Sequence, residues 1–334
     1  MIDDIFRTLN VVERLLEQKD SKGLAWDLRI NVIWSIFRAF DAGRFQLRPV
    51  NIERVLNDLR DLTAYIEECP LTFPAEKKIA VKITQKIFAP KRDRDMQILY
   101  GLAWAQLSPE EYRDAADLLA RRLLNSNQNI SFFKGAKCLD LATGIGRWAL
   151  AMVQLGARQV VATDFSETCL EEAHRRLDGL VESKRIRLIH GNLYKLPSTM
   201  NSAFDFVCAN GVIHHLPDPA GGIERVYRCT KKGGRAFIFV FTKNDAPWWP
   251  AVEIMRRLAA TVPLHYAHKI LKFYAIPGSK IFNVLDYSYT PIQHKFDRSW
   301  VEDRFQQLGF REIHFLQGGN IHDSALRSRL FDAD

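Results

Sequence analysis

The sequence predicts an α/β protein, a doubly wound and mostly parallel sheet with an all-helical N-terminal region before it and a cap insertion late in the chain. Three observations carry that prediction. Through residue 130, apolar side chains recur at spacings of three and four. From residue 131, strand-length apolar runs alternate with helical patterns. Residues 243–296 interrupt the alternation with a stretch rich in aromatics and prolines. The expected division is a helical region at 1–130 and an α/β domain at 131–334, with the insertion 243–296 inside the latter.

Each element has its own signal. "IFRTLNVVERLLE", "GLAWDLRINVIWSIFRAFDAG" and "NIERVLNDLRDLTAYIEEC" read as amphipathic helices, the last with Asn51 as N-cap. Prolines at 70, 74 and 90 then break the helical pattern. "SPEEYRDAADLLARRLL" opens with a Ser108 cap, a first-turn Pro109 and the acids Glu110 and Glu111 at the positive end of the helix dipole. "NSNQN" is a polar linker. After it come the strands "KCLDLA", "QVVATDF", "RIRLIHG", "FDFVCAN" and "GRAFIFVFT". The helices between them are "RWALAMVQLG", "SETCLEEAHRRLDGL" with a Ser166 cap, and "DPAGGIERVYRCT". Beyond the insertion, "SWVEDRFQQLGF" reads as a helix and "REIHFLQ" as a further strand. Strands that alternate with helices imply right-handed crossovers and a parallel sheet.

Composition narrows the function. The net charge is +8, but bases exceed acids by only two in 1–136, five in 137–243 and one in 244–334. That is a mildly basic surface, and it argues against a nucleic-acid arm. Cysteines at 69, 138, 169, 208 and 229 form no CxxC pair, and Cys138 and Cys208 fall inside strand-like runs. They read as reduced core thiols of a cytoplasmic protein. The first twenty residues are acidic and amphipathic, unlike a signal or transit peptide. No run approaches the roughly 18 apolar residues that span a bilayer. Seven bases crowd residues 76–95, which read as a helix with a solvated basic face or, less simply, a docking face for an anionic partner.

The chemistry begins at "CLDLATGIGRWALA". A strand that turns at once into a helix leaves backbone N–H groups unpaired at the helix start. Glycine in such a turn allows positive φ and close approach of a ligand. In open α/β sheets the ligand lies beyond the carboxyl ends of the strands. Gly144 and Gly146 therefore mark a ligand floor. Asp164 ends the second strand, where an acidic side chain can accept both hydroxyls of a ribose. Strand, glycine turn, helix, strand and acid in that order indicate a nucleoside-type ligand, either NAD or S-adenosylmethionine. NAD would favour G-x-G-x-x-G, whereas Gly146 is followed three residues later by Ala149.

Here the chain resembles the class I S-adenosylmethionine-dependent methyltransferases, over about residues 132–318. "LDLATGIG", "VVATDFS", "HGNLYKLP" and "FDFVCANGVIHHLPD" are similar to that family's first four motifs, in order. "RCTKKGGRAFIFVF" is similar to the turn and strand that follow. The nearest type is that of the small-molecule enzymes of ubiquinone and menaquinone biosynthesis. The resemblance implies a seven-stranded Rossmann-like methyltransferase fold, S-adenosyl-L-methionine as cofactor and S-adenosyl-L-homocysteine as product. It implies that Asp140 and the backbone of Ala142, Thr143, Gly144 and Gly146 hold the methionine moiety, and that Asp164 takes the ribose hydroxyls. Phe165 would pack on the adenine, Asn192 and Leu193 would face its edge, and Asn210 would lie near the methionine end. Two positions depart from the pattern. Ala142 stands where the family has the first of three glycines, and Asn192 stands where aspartate is commoner.

Methyl transfer is an in-line displacement, so the protein supplies mainly orientation and exclusion of water. A base is needed only if the acceptor loses a proton. His214 and His215 follow the fourth strand and are the catalytic candidates; the plainer reading is that one packs under the loop and the other orients it. No third ligand lies near them in sequence, so no metal is expected. Trp248, Tyr287 and His294 in the insertion are the candidate acceptor contacts, set against the reading that its aromatics form a small core. The expected activity is methyl transfer to an oxygen, nitrogen or carbon of a small molecule. Two other classes stay open: a protein or RNA methyltransferase, and a non-catalytic cofactor-binding partner. Asn210-Gly-Val-Ile, in place of an Asn-Pro-Pro-Tyr-like tetrad, argues within the first class against planar amide or exocyclic base nitrogens as acceptors. The N-terminal helices offer a surface for a homodimer.

Overall fold

Helices form where the spacing of three and four predicts them. Ile5, Leu9, Val12 and Leu16 bury one stripe of α1 (Ile2–Asp20). Ile30, Ile33, Phe37 and Phe40 do so on α2 (Trp26–Phe45), and Val55, Leu59, Leu62 and Ile66 on α3 (Ile52–Glu68). The computed structural model describes residues 2–20, 26–45, 52–68, 89–243 and 247–316. Asn51, Cys69 and residues 76–88 of the basic segment lie outside the described residues.

Two further helices precede the sheet, α4 (Ala89–Trp104) and α5 (Pro109–Asn125). Helix α4 is not among the elements expected from sequence. Pro90 reads as a breaker there, yet it sits in the first turn, where a missing N–H costs nothing. Helix α5 starts as expected: the Ser108 side chain accepts from Glu111 N–H, and the Glu111 carboxylate accepts from Ser108 N–H.

Five strands follow: β1 (Lys137–Leu141), β2 (Gln159–Asp164), β3 (Ile186–His190), β4 (Phe204–Asn210) and β5 (Thr230–Phe239). All pair in parallel, in the order β3-β2-β1-β4-β5. Helices α6 (Arg147–Gln154), α7 (Glu167–Glu182) and α8 (Pro219–Cys229) make the crossovers β1–β2, β2–β3 and β4–β5. Successive side chains divide between two cores. Cys138, Val160, Ala162, Phe206 and Cys208 pack with Leu119, Trp148 and Met152 on one face. Leu139, Leu141, Val161, Val207 and Ala209 pack with Ile223, Val226, Val301 and Phe305 on the other. The last two come from α12 (Arg298–Leu308). Burial on both faces is why these strands read as continuous apolar runs.

The seven strands implied by the resemblance are not found: the described residues contain five. Residues 311–316 of the expected final strand join no ladder, and Gln317 onward is not described. Phe315 lies against the Arg298 guanidinium, 3.7 Å from ring centroid to Cζ. Alternating apolar residues mark a stretch that is half buried; they do not supply the neighbouring strand.

The chain gathers into two compact units. One holds α1, α2 and α3 with the helices of the insertion, α9 (Trp248–Ala259), α10 (Leu264–Phe273) and α11 (Gly278–Tyr289). The other runs from Arg94 to Asn244 and resumes at Thr290. This line differs from the division expected at residue 130: α5 belongs with the sheet, and the insertion belongs with the N-terminal helices. Trp248 packs on Phe37 and Phe40 at centroid distances of 6.2 and 5.5 Å, and Lys280 pairs with Asp41 at 2.6 Å. Periodicity shows that a helix face is apolar, not which helix covers it.

Candidate cofactor and acceptor site

The switch in strand order falls at β1, which has β2 on one side and β4 on the other. The chain leaves these strands in opposite directions, and the crevice opens at their carboxyl ends. The predicted cofactor residues lie at or after these ends, except Asn192 and Leu193, which follow β3. Asp140 is the fourth residue of β1, Asp164 ends β2 and Asn210 ends β4.

The turn after β1 needs its glycines. Gly144 and Gly146 have φ of +56° and +81°. Ala142 also lies in the left-handed region, at +55°. An alanine there stores about 1 kcal/mol of backbone strain, and it stands where the family prefers glycine. The turn is pinned from several sides. Thr143 N–H donates to the Thr163 carbonyl at 2.9 Å, Gly146 N–H to Thr143 at 3.1 Å, and the Tyr112 hydroxyl to the Ile145 carbonyl at 3.1 Å.

Asp164 organises the junction. One carboxylate oxygen accepts from Gly144 N–H and the other from Ser166 N–H, both at 2.8 Å. The Phe165 backbone N–H also acts on this carboxylate, and the lone-pair directions left over can accept hydroxyls of a ligand. Burial pushes its pKa up from the usual carboxylate value, against the pull of those N–H groups. Asp140 is buried beside it and accepts from the Thr143 hydroxyl at 2.5 Å. Its pKa rises to about 7, first through burial, with Thr143 and Arg147 pulling it back.

On the adenine side, Phe165 is half-buried, and its carbonyl accepts from Gln97 Nε2 at 2.9 Å and His190 Nε2 at 3.0 Å. Asn192 is exposed and its side chain caps the turn at 193–195 by accepting from Tyr194 N–H. Leu193 puts its side chain into the core. On the methionine side, Asn210 Oδ1 accepts from Arg122 Nη1 at 3.0 Å.

Both histidines of the β4 loop are buried, His214 at 1% exposure and His215 at 4%. His215 Nδ1–H donates to the Ile292 carbonyl at 2.8 Å. His214 hydrogen-bonds the Phe239 backbone, and burial and then His215 hold it well below the usual imidazole range, so it is neutral. Its Nδ1 has no hydrogen-bond partner among the described residues. His294 ties the loop from outside: its N–H donates to the His214 carbonyl at 2.8 Å and its Nε2–H to the Leu216 carbonyl at 3.0 Å. Trp248 and Tyr287 lie in the helical unit, where their rings meet edge to face at 4.9 Å. Both are buried there, as members of that unit's own core.

Sequence reasoning missed the residues that helices α4 and α5 bring to the crevice. Gln97, Tyr100, Gly101 and Trp104 lie along one face of α4. They reach the Phe165 carbonyl, the His215 ring at 5.9 Å, and a close fit to Thr168 and Gly144 in turn. Arg122 comes from α5. The signal that could have found them is the i, i+4, i+7 spacing of Gln97, Gly101 and Trp104 beyond Pro90. Among the described residues, no group of three side chains is arranged to hold a metal ion, and no helix is long and apolar enough to cross a membrane.

Residues 139–238 match a family described as "Methyltransferase domain". The chain is 26% identical over 188 residues to the demethylmenaquinone methyltransferase of Lactiplantibacillus plantarum, covering 56% of this chain and 75% of that one. It is 36% identical over 113 residues to the enzyme of that name from Clavibacter sepedonicus, covering 34% and 44%. The chain thus spans less than half the length of the second relative. Among solved structures, an S-adenosylmethionine-dependent methyltransferase from Mesorhizobium loti aligns at 23% identity with a TM-score of 0.30, covering 37% of this chain and 52% of that one. The glycine turn and its acidic partner, Asp164, lie inside the segment 139–238 that matches the methyltransferase domain.

Proposed function

We propose that this chain transfers the methyl group of S-adenosylmethionine to a small-molecule acceptor by in-line displacement. The observation that carries the reading is the joint between the glycine turn and Asp164 at the switch point of the sheet. The residues fit the cofactor on two counts. Asp164 has lone pairs left for a ribose diol, and a side chain at Gly144 would press on the Trp104 indole within 3.3 Å, so the floor stays bare. When bound, the cofactor supplies a sulfonium methyl already activated for displacement.

The chain's own residues then orient and enclose. Asp164 takes the ribose hydroxyls, Asp140 faces the cationic methionine end, and Asn210, steadied by Arg122, borders the methyl. Phe165 lies along the adenine, with Asn192 and Leu193 at its edge. Helix α4 covers the crevice and limits water. His215 and His294 are tied to backbone carbonyls, which supports a role in holding the β4 loop. Where the acceptor must lose a proton, the vacant, neutral His214 Nδ1 is the base. The packing of Trp248 and Tyr287 supports their reading as core; His294 remains the acceptor contact of the three. The two relatives are named for demethylmenaquinone, which supports a small-molecule acceptor.

Methyl-labelled cofactor, purified chain and a cell lysate fractionated into small molecules, protein and RNA test the proposal. Label is expected in the small-molecule fraction and absent with Asp164→Ala. Label in protein or RNA alone would replace the reading with a macromolecular one. No transfer despite intact cofactor binding would favour a binding partner.

The raised pKa of Asp140 gives a pH dependence. An unfolded aspartate ionises near 4 and the folded one near 7, so the folded state binds the extra proton between them. Ligand-free stability therefore falls as pH rises from about 4 to about 7. A cationic methionine end favours the ionised form, so cofactor affinity should rise roughly tenfold between pH 6 and pH 8. Calorimetry across that range, with Asp140→Asn as the flat control, checks both signs.

A further inference from the structure

Away from the crevice, one surface of the helical unit joins a basic stripe to a cluster of aromatic rings. Helix α10 buries Ala267 and Leu271. Its opposite face carries His265, Lys269 and Lys272 at i, i+4 and i+7, all exposed. The helix holds no acidic residue. Among the described residues neither lysine takes part in an ion pair. The ionisable neighbours that act on His268, on the same helix, are Lys272 and His265, both bases. Burial first, and then these two, hold its pKa below the usual imidazole value.

The aromatic part stands at the end of the helix. Phe273 is 82% exposed and Tyr274 40%, with ring centroids 6.0 Å apart. Trp26, 45% exposed at the start of α2, meets Tyr266 of α10 edge to face at 5.3 Å. Tyr274 is near enough to Tyr266 to act on its hydroxyl. The Asp27 carboxylate at this end is taken up by that hydroxyl, which donates to it. A single exposed apolar side chain is ordinary. Three large ones gathered beside a basic stripe mark an interaction surface.

We propose that this face docks on the surface of an anionic phospholipid bilayer. A ring as exposed as Phe273 projects from the chain and lines no groove. That shape suits a flat, deformable lipid surface better than the cavity of a protein partner. Phe273 enters the headgroup boundary, and Trp26 and Tyr274 settle at its level, where amphipathic rings are favoured. Lys269 and Lys272 then face the lipid phosphates. The contact lies on the membrane and does not cross it, since a helix of 10 residues is too short to span the hydrocarbon. The inference is independent of the methyl-transfer reading.

Flotation of the full chain with vesicles of phosphatidylglycerol and phosphatidylcholine, against phosphatidylcholine alone, tests the proposal. The wild-type chain should bind the mixed vesicles at least about tenfold more tightly than the neutral ones, and high salt should release it. Lys269→Gln with Lys272→Gln should weaken binding to the mixed vesicles roughly 10- to 30-fold. Phe273→Ser should weaken it roughly tenfold. All three positions are exposed, so thermal unfolding should be unchanged, which separates lost docking from lost folding. The lysine pair carries the test if Phe273→Ser fails to fold. No wild-type binding to mixed vesicles would overturn the proposal. Full binding retained by both variants would place the contact elsewhere on the chain and overturn it too. Equal binding to neutral vesicles would overturn the anionic assignment. Self-association that Phe273→Ser abolishes, without flotation, would make a second copy of the chain the occupant instead.

Discussion

Asp164→Ala is expected to weaken S-adenosylhomocysteine binding by at least 100-fold and to lower stability by about 2–5 kcal/mol. Two effects combine. The ribose diol loses both charge-assisted acceptors, each worth roughly 1.5–3 kcal/mol. The Gly144 and Ser166 N–H groups lose the carboxylate oxygens that hold them at 2.8 Å. The glycine turn and the start of α7 are then no longer joined. Asp164→Asn separates the two effects: its single oxygen can still accept one N–H, while its amide presents a donor to the other. Its stability loss should be the smaller, with most of the affinity still lost. Denaturant titration and calorimetry on the same samples read both. A folded Asp164→Ala chain that binds as tightly as wild type would sink the ribose assignment.

Gly146→Ala comes second. At φ +81° an alanine costs about 1–2 kcal/mol in backbone strain alone. The added Cβ would also stand 2.4 Å from Leu177 Cδ1 and 3.3 Å from Ala173 Cβ on α7. Overpacking of that kind typically costs about 1–3 kcal/mol. The midpoint of urea unfolding should drop by an amount equivalent to about 2–5 kcal/mol, with cofactor binding reduced as α6 shifts off the turn. Ala142 makes the contrast. It already carries a Cβ at φ +55°, so positive φ alone is survivable. The difference at 146 is the α7 side chain that packs against it. A Gly146→Ala chain as stable as wild type would show that α6 and α7 do not need their close approach.

The parts of this protein that were legible in the sequence are those set by local chemistry. The strand order of signals, the Ser108 and Ser166 caps and the glycine turn depend on neighbours within a few residues, and they stand where expected. What was not legible depends on partners far along the chain. Helix α4 was hidden by Pro90, a residue that breaks a helix in its interior and suits its first turn. Arg122 was not singled out, because nothing near it in sequence announces its partner Asn210. Trp248 and Tyr287 looked like acceptor walls, yet Trp248 packs on Phe37 and Phe40 of α2, and Tyr287 packs edge to face on Trp248. The final strand failed for the same reason, since "REIHFLQ" has the alternation but its described residues have no ladder to join.

The most direct test of the central claim is a paired titration of the purified wild-type chain with S-adenosylhomocysteine and with NADH. Both ligands carry an adenosine that Asp164 could hold, so the comparison turns on the glycine turn and the methionine side of the crevice. Saturable one-to-one binding of S-adenosylhomocysteine that Asp164→Ala abolishes is expected, with no measurable binding of NADH. Binding of NADH in preference to S-adenosylhomocysteine would contradict it and return the chain to the nicotinamide-binding alternative.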